Sequence, residues 1–211
     1  MMDVPLISFL ILFVTIFLIG EISFKYLRLN SEITRRSTHL LSGLVAFMMP
    51  YHLTLGQAVA LGILFTLVLA FSEVFKLLPS VTRVNRSSLG SILFPLGLVT
   101  SGLLFWDSNL TAFKLSVLVL AISDSVAGFV GYKYGKRKLF FVTSEGSLAF
   151  LLTTFSIFCF FGFNYGEISI SSLVTFVVFS LVLTFAEAAT TKGWDNLLLP
   201  VIAGFFASLL F

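Results

Sequence analysis

The stretch Glu32-Ile-Thr-Arg35-Arg36-Ser-Thr-His39 sets a carboxylate, two guanidiniums and an imidazole at positions i, i+3, i+4 and i+7. In a helix these four share one face. A guanidinium is planar and permanently charged and can offer two parallel N–H donors, which suits it to phosphate. The same residues could instead simply anchor the end of a membrane span. A second group is Asp124-Ser-Val-Ala127-Gly128-Phe-Val-Gly131, continuing to Gly135-Lys136-Arg137-Lys138. Asp124, Gly128, Gly131 and Gly135 form one helical stripe with a carboxylate at the deep end and cations at the mouth. Such a stripe could admit a metal-bound polyphosphate, although small residues at this spacing also make a helix-packing face. Third comes Thr143-Ser144-Glu145-Gly146-Ser147, either a turn with Ser144 or Ser147 as helix N-cap or a second carboxylate for the same site. Fourth is Gly193-Trp194-Asp195-Asn196 with Pro200 shortly after, and Arg83-Val-Asn-Arg86-Ser-Ser-Leu-Gly90 before Phe94-Pro95 is similarly ambiguous. Neither a Walker A loop nor a G-x-G-x-x-G turn is present, so the ordinary nucleotide-binding folds are excluded.

The elements that must carry these residues follow from composition. Of 211 residues, 58% are hydrophobic and 11% charged, and 26 are phenylalanine. Soluble proteins carry roughly 25% charged residues, so the chain is expected to be an integral membrane protein. Apolar runs predict spans over about 4–24, 37–50, 55–78, 90–105, 111–132, 147–163, 170–190 and 197–211, the second beginning with a polar turn near Ser31. The expected fold is an all-α polytopic transmembrane bundle of about eight spans. It forms a single domain over 1–211 and leaves no room for an extramembrane domain. The first span lacks a basic n-region and an A-x-A site and reads as retained. Cys159 is the single cysteine, which rules out a disulfide framework. His39 and His52 are too few for a histidine-based metal centre. No basic arm alternates with aromatics, so nucleic acid is not an expected partner.

All but one of the 13 basic residues fall in the odd-numbered connections, Lys114 being the exception. The positive-inside rule then makes those connections cytoplasmic and both termini external. A missed or extra span would scramble the pattern. Glu21, Glu32, Glu73, Asp124, Glu145, Glu187 and Asp195 share that side. Carboxylates in or beside spans are costly and mark function more often than chance. The bland alternative is a set of interfacial ion pairs joining helix ends.

Taken in order, these pieces resemble the CTP-dependent membrane lipid kinases: dolichol kinase, phytol and farnesol kinases, and the fungal-type diacylglycerol kinase. The family pattern is Arg-Lys-x-x-His, Asp-x-x-Ala-x-x-x-Gly-x-x-x-Gly, Lys-Ser/Thr-x-Glu-Gly-Ser/Thr and Asp-Asn-x-x-x-Pro. It is matched by Arg35-Arg36-Ser-Thr-His39, Asp124 to Gly131, Thr143 to Ser147, and Asp195-Asn196 with Pro200, with Arg86 to Pro95 resembling the stretch before the fourth span. Arg36 replaces the family lysine, and Val142 stands where another lysine is usual, with Arg137 or Lys138 as its possible substitutes. The resemblance implies transfer of the γ-phosphate of CTP to a membrane lipid alcohol, most simply an isoprenoid alcohol, at the cytoplasmic face. It implies Mg²⁺ held by Asp124 with Glu145 or Asp195, and phosphates met by Arg35, Arg36, Lys136, Arg137 and Lys138. Gly128, Gly131, Gly146 and Asn196 would line the nucleotide's approach, and Asp124 or His39 would serve as base. The competing readings are a small transporter, an inactive scaffold retaining the fold, and a CDP-lipid synthase, whose His-Gly-Gly and Asp-Arg-x-Asp signature is absent.

Overall fold

Long Leu-, Val- and Phe-rich runs leave the backbone no partner in lipid but itself, and they form helices. A computed structural model describes residues 4–82 and 89–211. Arg83 and Arg86 lie outside them. The helices are α1 (Val4–Lys25), α2 (Ser31–Met48), α3 (Leu55–Phe75), a short α4 (Pro79–Thr82), α5 (Gly90–Phe105), α6 (Leu110–Leu118), α7 (Asp124–Tyr134), α8 (Ser144–Tyr165), α9 (Ile170–Ala189) and α10 (Asp195–Ser208). A π-turn over Val119–Ser123 joins α6 to α7 in one 25-residue rod, Leu110–Tyr134. The fold is all-helical apart from a hairpin of two-residue strands, β1 (Lys138–Leu139) and β2 (Val142–Thr143), paired antiparallel.

Among the described residues five helices are long and apolar enough to cross a membrane: α1, α3, the α6–α7 rod, α8 and α9. The other three long helices miss for separate reasons. The first half of α2 is polar. α5 and α10 have 16 and 14 residues, ~24 and ~21 Å at 1.5 Å per residue, against a hydrocarbon core of ~30 Å. Both carry an internal proline, Pro95 and Pro200.

Successive helices reverse direction, so the bundle has two ends. One gathers the end of α2 and the starts of α3, α6 and α9. Here Lys114 Nζ donates to the Tyr51 hydroxyl at 2.9 Å, and the Thr111 and Tyr165 hydroxyls are bonded at 2.6 Å. The other gathers the starts of α2, α5, α8 and α10 with the ends of α3, α7 and α9. The rod runs through the middle and is the most buried of the candidate spans, whereas α1, α3 and α9 turn mostly apolar surface outward. An outward face of exposed Leu, Ile, Val and Phe is what lipid contact requires and water penalises.

Candidate functional site

Each helix end that carries a candidate residue is fixed by local chemistry. Asn30 caps α2, accepting from Glu32 N at 2.9 Å, while its Nδ2 donates to the Tyr132 hydroxyl on α7, also at 2.9 Å. With α2 starting there, Glu32, Arg35, Arg36 and His39 do share one face. Glu32 Oε2 lies 3.3 Å from Arg35 Nη2 and 3.6 Å from Arg36 Nε, so one carboxylate holds both arginines.

The π-turn sets what they face. Its extra residue shifts the register of the rod just before Asp124, a distortion that recurs at functional sites. His39 Nε2 sits 3.2 Å from the Leu120 carbonyl and 3.8 Å from Asp124 Oδ2. A carbonyl only accepts, so Nε2 is the protonated nitrogen in that bond. Phe94 of α5 packs on the imidazole with ring centroids 3.9 Å apart. Arg36 Nη1 donates to the Asp124 carbonyl at 3.3 Å, and the Arg36 carbonyl accepts from Ser125 Oγ at 3.4 Å. The guanidinium of Arg36 occupies the volume a side chain at Gly128 would need.

The start of α10 is brought in by backbone contacts. Leu89 N donates to the Lys192 carbonyl at 2.8 Å. Gly193 adopts φ +89°, and a Cβ there would strike the Gly90 backbone, so only glycine fits. Pro200 has no N–H for the Asn196 carbonyl one turn earlier, and Gly97 of α5 packs directly against that carbonyl. Asp195 and Asn196 are thereby held beside Asp124. The charges of Asp124 and Arg35 act on Asp195. Glu187, near the end of α9, shares this environment with Asp124, Asp195 and Arg36 and is 6% exposed. Among the described residues its Oε2 and the Asn196 Oδ1 have no hydrogen-bond partner. Glu187 is among the acids expected on the cytoplasmic side, but no motif in the sequence places it in the site. A lone carboxylate in the apolar run Thr-Phe-Ala-Glu-Ala-Ala was the available signal.

A second station lies along α7 toward the hairpin. Thr143, rather than Ser144 or Ser147, caps α8, its Oγ1 accepting from Gly146 N at 3.2 Å. A Cβ on Gly131 would come within 2.8 Å of that same oxygen, so Gly131 and Gly146 make the α7–α8 contact. Glu145 turns to the hairpin entry. Ser144 Oγ donates to it at 3.2 Å, and the Lys136 and Arg137 backbone also offers it hydrogen bonds. Among the described residues no hydrogen bond or ion pair joins Glu145 to Asp124 or Asp195. Lys136, Arg137 and Lys138 stand exposed at the rim.

Arg35, Arg36, His39, Asp124, Asp195, Asn196 and, unforeseen, Glu187 therefore meet where α2, α7, α9 and α10 converge. Three carboxyl groups in mutual electrostatic reach, opposed by two arginines already paired with Glu32, outnumber the cations beside them. Hard oxygens in such a setting suit a divalent cation of the Mg²⁺ type. Among the described residues no three His, Cys, Asp or Glu side chains come close enough to hold a metal unaided.

Comparison with known proteins gives one informative likeness. The chain is 28% identical over 180 residues to the phytol kinase of Synechocystis sp., covering 81% of this chain and 76% of that protein. No family model matches, and no solved structure matches.

Proposed function

We propose that the protein is a membrane lipid kinase that moves the γ-phosphoryl group of a nucleoside triphosphate to the hydroxyl of a prenol-type lipid alcohol. In this reading CTP is the donor, and the charged end of the bundle faces the cytoplasm across a membrane crossed eight times. The observation that carries it is the convergence of two arginines with Asp124, Asp195 and Glu187 at one end of an otherwise apolar bundle. The likeness to a phytol kinase supports the lipid alcohol as acceptor.

Phosphoryl transfer asks a protein for positioning and charge neutralisation more than for covalent chemistry. Arg35 and Arg36 lie side by side on α2 and would exchange Glu32 for phosphate oxygens, with Lys136, Arg137 and Lys138 at the rim drawing in the nucleotide. A bound Mg²⁺ would offset phosphate charge, with Asp124 and Asp195 as its protein ligands and Glu187 and Asn196 Oδ1 beside them. Glu145 would act from the neighbouring station by holding the basic loop. Gly128 gives Arg36 its berth, and Gly131 with Gly146 seats α7 against α8. Asp124 is taken as the acceptor for the alcohol's proton, with His39, bonded through Nε2 to the Leu120 carbonyl and 3.8 Å from Asp124 Oδ2, as its positioning partner.

The test is to incubate purified protein with CTP or ATP labelled at either the α- or the γ-phosphate and with phytol, farnesol, a dolichol and a diacylglycerol. The proposal expects γ-label, and no α-label, in a prenol phosphate, abolished by EDTA and restored by Mg²⁺. Transfer of α-label to lipid would instead mark a CDP-lipid synthase.

A further inference from the structure

Beside the charged site lies a cavity between α1, α2, α3, α5 and α6. Among its lining residues only Ser42 and Trp106 carry a side-chain oxygen or nitrogen. Phe13, Phe17 and Phe65 form one wall, with Phe65 packed on both the others at centroid distances of 5.1 and 5.7 Å. On another side α3 and α5 are drawn together, because Gly62 lies where a Cβ would overlap the Val99 side chain. The result is a slot, closed between those two helices.

Two features join this slot to the charged site. Phe94 lines it and also packs on His39. His39, Ser42 and Ala46 follow i, i+3 and i+7 on α2, one face running from the imidazole into the cavity, with Met49 just past the end of the helix. Ser42 is 3% exposed, and among the described residues its hydroxyl has no hydrogen-bond partner. An unmade hydrogen bond in an apolar wall is costly, and it sits one turn, ~5 Å, below His39.

We propose that this cavity holds the single hydrocarbon chain of a lipid alcohol and that Ser42 receives its hydroxyl, aligning the oxygen beneath His39 and Asp124. The cavity follows α3 from Leu55 to Leu69, ~21 Å along the helix axis, a length that suits an extended chain lying across the bilayer. A slot bounded by close helix contacts takes one chain, and a two-chain diacylglycerol does not fit the assignment. The inference rests on the lipid-kinase reading for the role of the hydroxyl. The cavity's occupant can be tested without it.

The full-length protein, with no nucleotide present, is photolabelled with a diazirine-bearing prenol, and the labelled peptides are mapped by mass spectrometry. Label is expected on α2, α3 and α5 residues of the cavity, with loss of at least ~10-fold in Ala58→Trp and in Val59→Phe, which narrow the slot from α3. A thermal-melting check identifies whichever of the two folds. Label spread over the outer faces of α1 and α9, unmoved by either variant, would overturn the assignment, as would equal competition by diacylglycerol. Specific labelling without any phosphoryl transfer would leave the cavity standing and remove the kinase reading. Ser42→Ala is expected to raise the alcohol KM about 10-fold, the worth of one hydrogen bond of ~1.4 kcal/mol, with the nucleotide KM unchanged and Ser42→Thr restoring it. An unchanged alcohol KM in Ser42→Ala would overturn the hydroxyl assignment.

Discussion

The two ends of the bundle solve the same problem in opposite ways. At the end built from the starts of α3, α6 and α9, each helix is completed by its own sequence. Thr54 and Gln57 form a capping box, Ser169 and Ser172 form another, and Asn109 caps α6. Lys114 there lies over the Tyr51 ring and donates to its hydroxyl. At the other end Asn30 and Thr143 cap α2 and α8, but among the described residues neither α5 nor α10 has a side-chain cap. Arg35 Nε, Arg36 Nε, Glu73 Oε2, Glu187 Oε2 and Asn196 Oδ1 are buried without a hydrogen bond among the described residues. Buried polar groups are nearly always satisfied in a finished structure. With the excess of carboxyl groups there, these are the groups that a phosphate-bearing substrate would meet in the proposed reading.

The largest separation between the ends should come from Asp124→Asn. It removes a carboxylate that lies 3.8 Å from His39 and serves, in this account, as both cation ligand and proton acceptor. Activity is expected to fall by at least ~10³-fold, with the thermal-unfolding midpoint of detergent-purified protein nearly unchanged. Next comes the pair Gly128→Ala and Gly131→Ala, neighbours on one stripe. A methyl at Gly128 displaces the Arg36 guanidinium, so turnover should drop ~10²-fold, as for loss of one preorganised donor to a developing charge. A methyl at Gly131 presses on Thr143 and should cost ~1–3 kcal/mol of stability by overpacking, with the nucleotide KM unmoved. If the two variants behave alike, the division of the stripe is wrong.

Glu187→Gln is a smaller effect with an unusual sign. It removes the burial penalty and the repulsion from Asp124 and Asp195 that an ionised carboxylate meets there, so in alkaline buffer the nucleotide-free protein should melt higher, by a few degrees for ~1 kcal/mol in a chain of this size, while Mg²⁺-dependent activity drops. Lower melting on removal of that charge would contradict an unfinished site. The smallest expected change lies at the far end. Thr54→Ala removes a cap worth ~0.5–2 kcal/mol and should lower the melting temperature with no effect on either substrate's KM.

The sequence showed most of the helices well, because α1, α3, α8 and α9 are long apolar runs. The expected spans 90–105 and 170–190 became Gly90–Phe105 and Ile170–Ala189, and the polar turn near Ser31 does open α2. The face shared by Glu32, Arg35, Arg36 and His39 was legible for the same reason, being a matter of helical spacing alone. Three features were not. A π-turn adds one residue without any residue type that announces it, so the meeting of His39 with Leu120 and Asp124 could not be foreseen. The hairpin turns at Phe140 and Phe141, with Phe140 at φ 53°, and lacks the Asn-Gly or Asp-Gly pair that marks such turns. Glu145 is bonded to Ser144 and the basic loop, and Glu187 comes within electrostatic reach of Asp124 and Asp195. Which carboxylates meet depends on how α7, α8 and α9 pack, and spacing along one helix carries no information on that.

The central claim is that the unfinished end is completed by a phosphate-bearing substrate whose γ-phosphoryl group leaves on a lipid alcohol. The direct measurement compares wild-type and Asp124→Asn protein, equally folded by thermal melting, with γ-labelled CTP, Mg²⁺ and phytol. The account predicts labelled phytyl phosphate from the wild type and none above background from the variant. Comparable label from both proteins would contradict it.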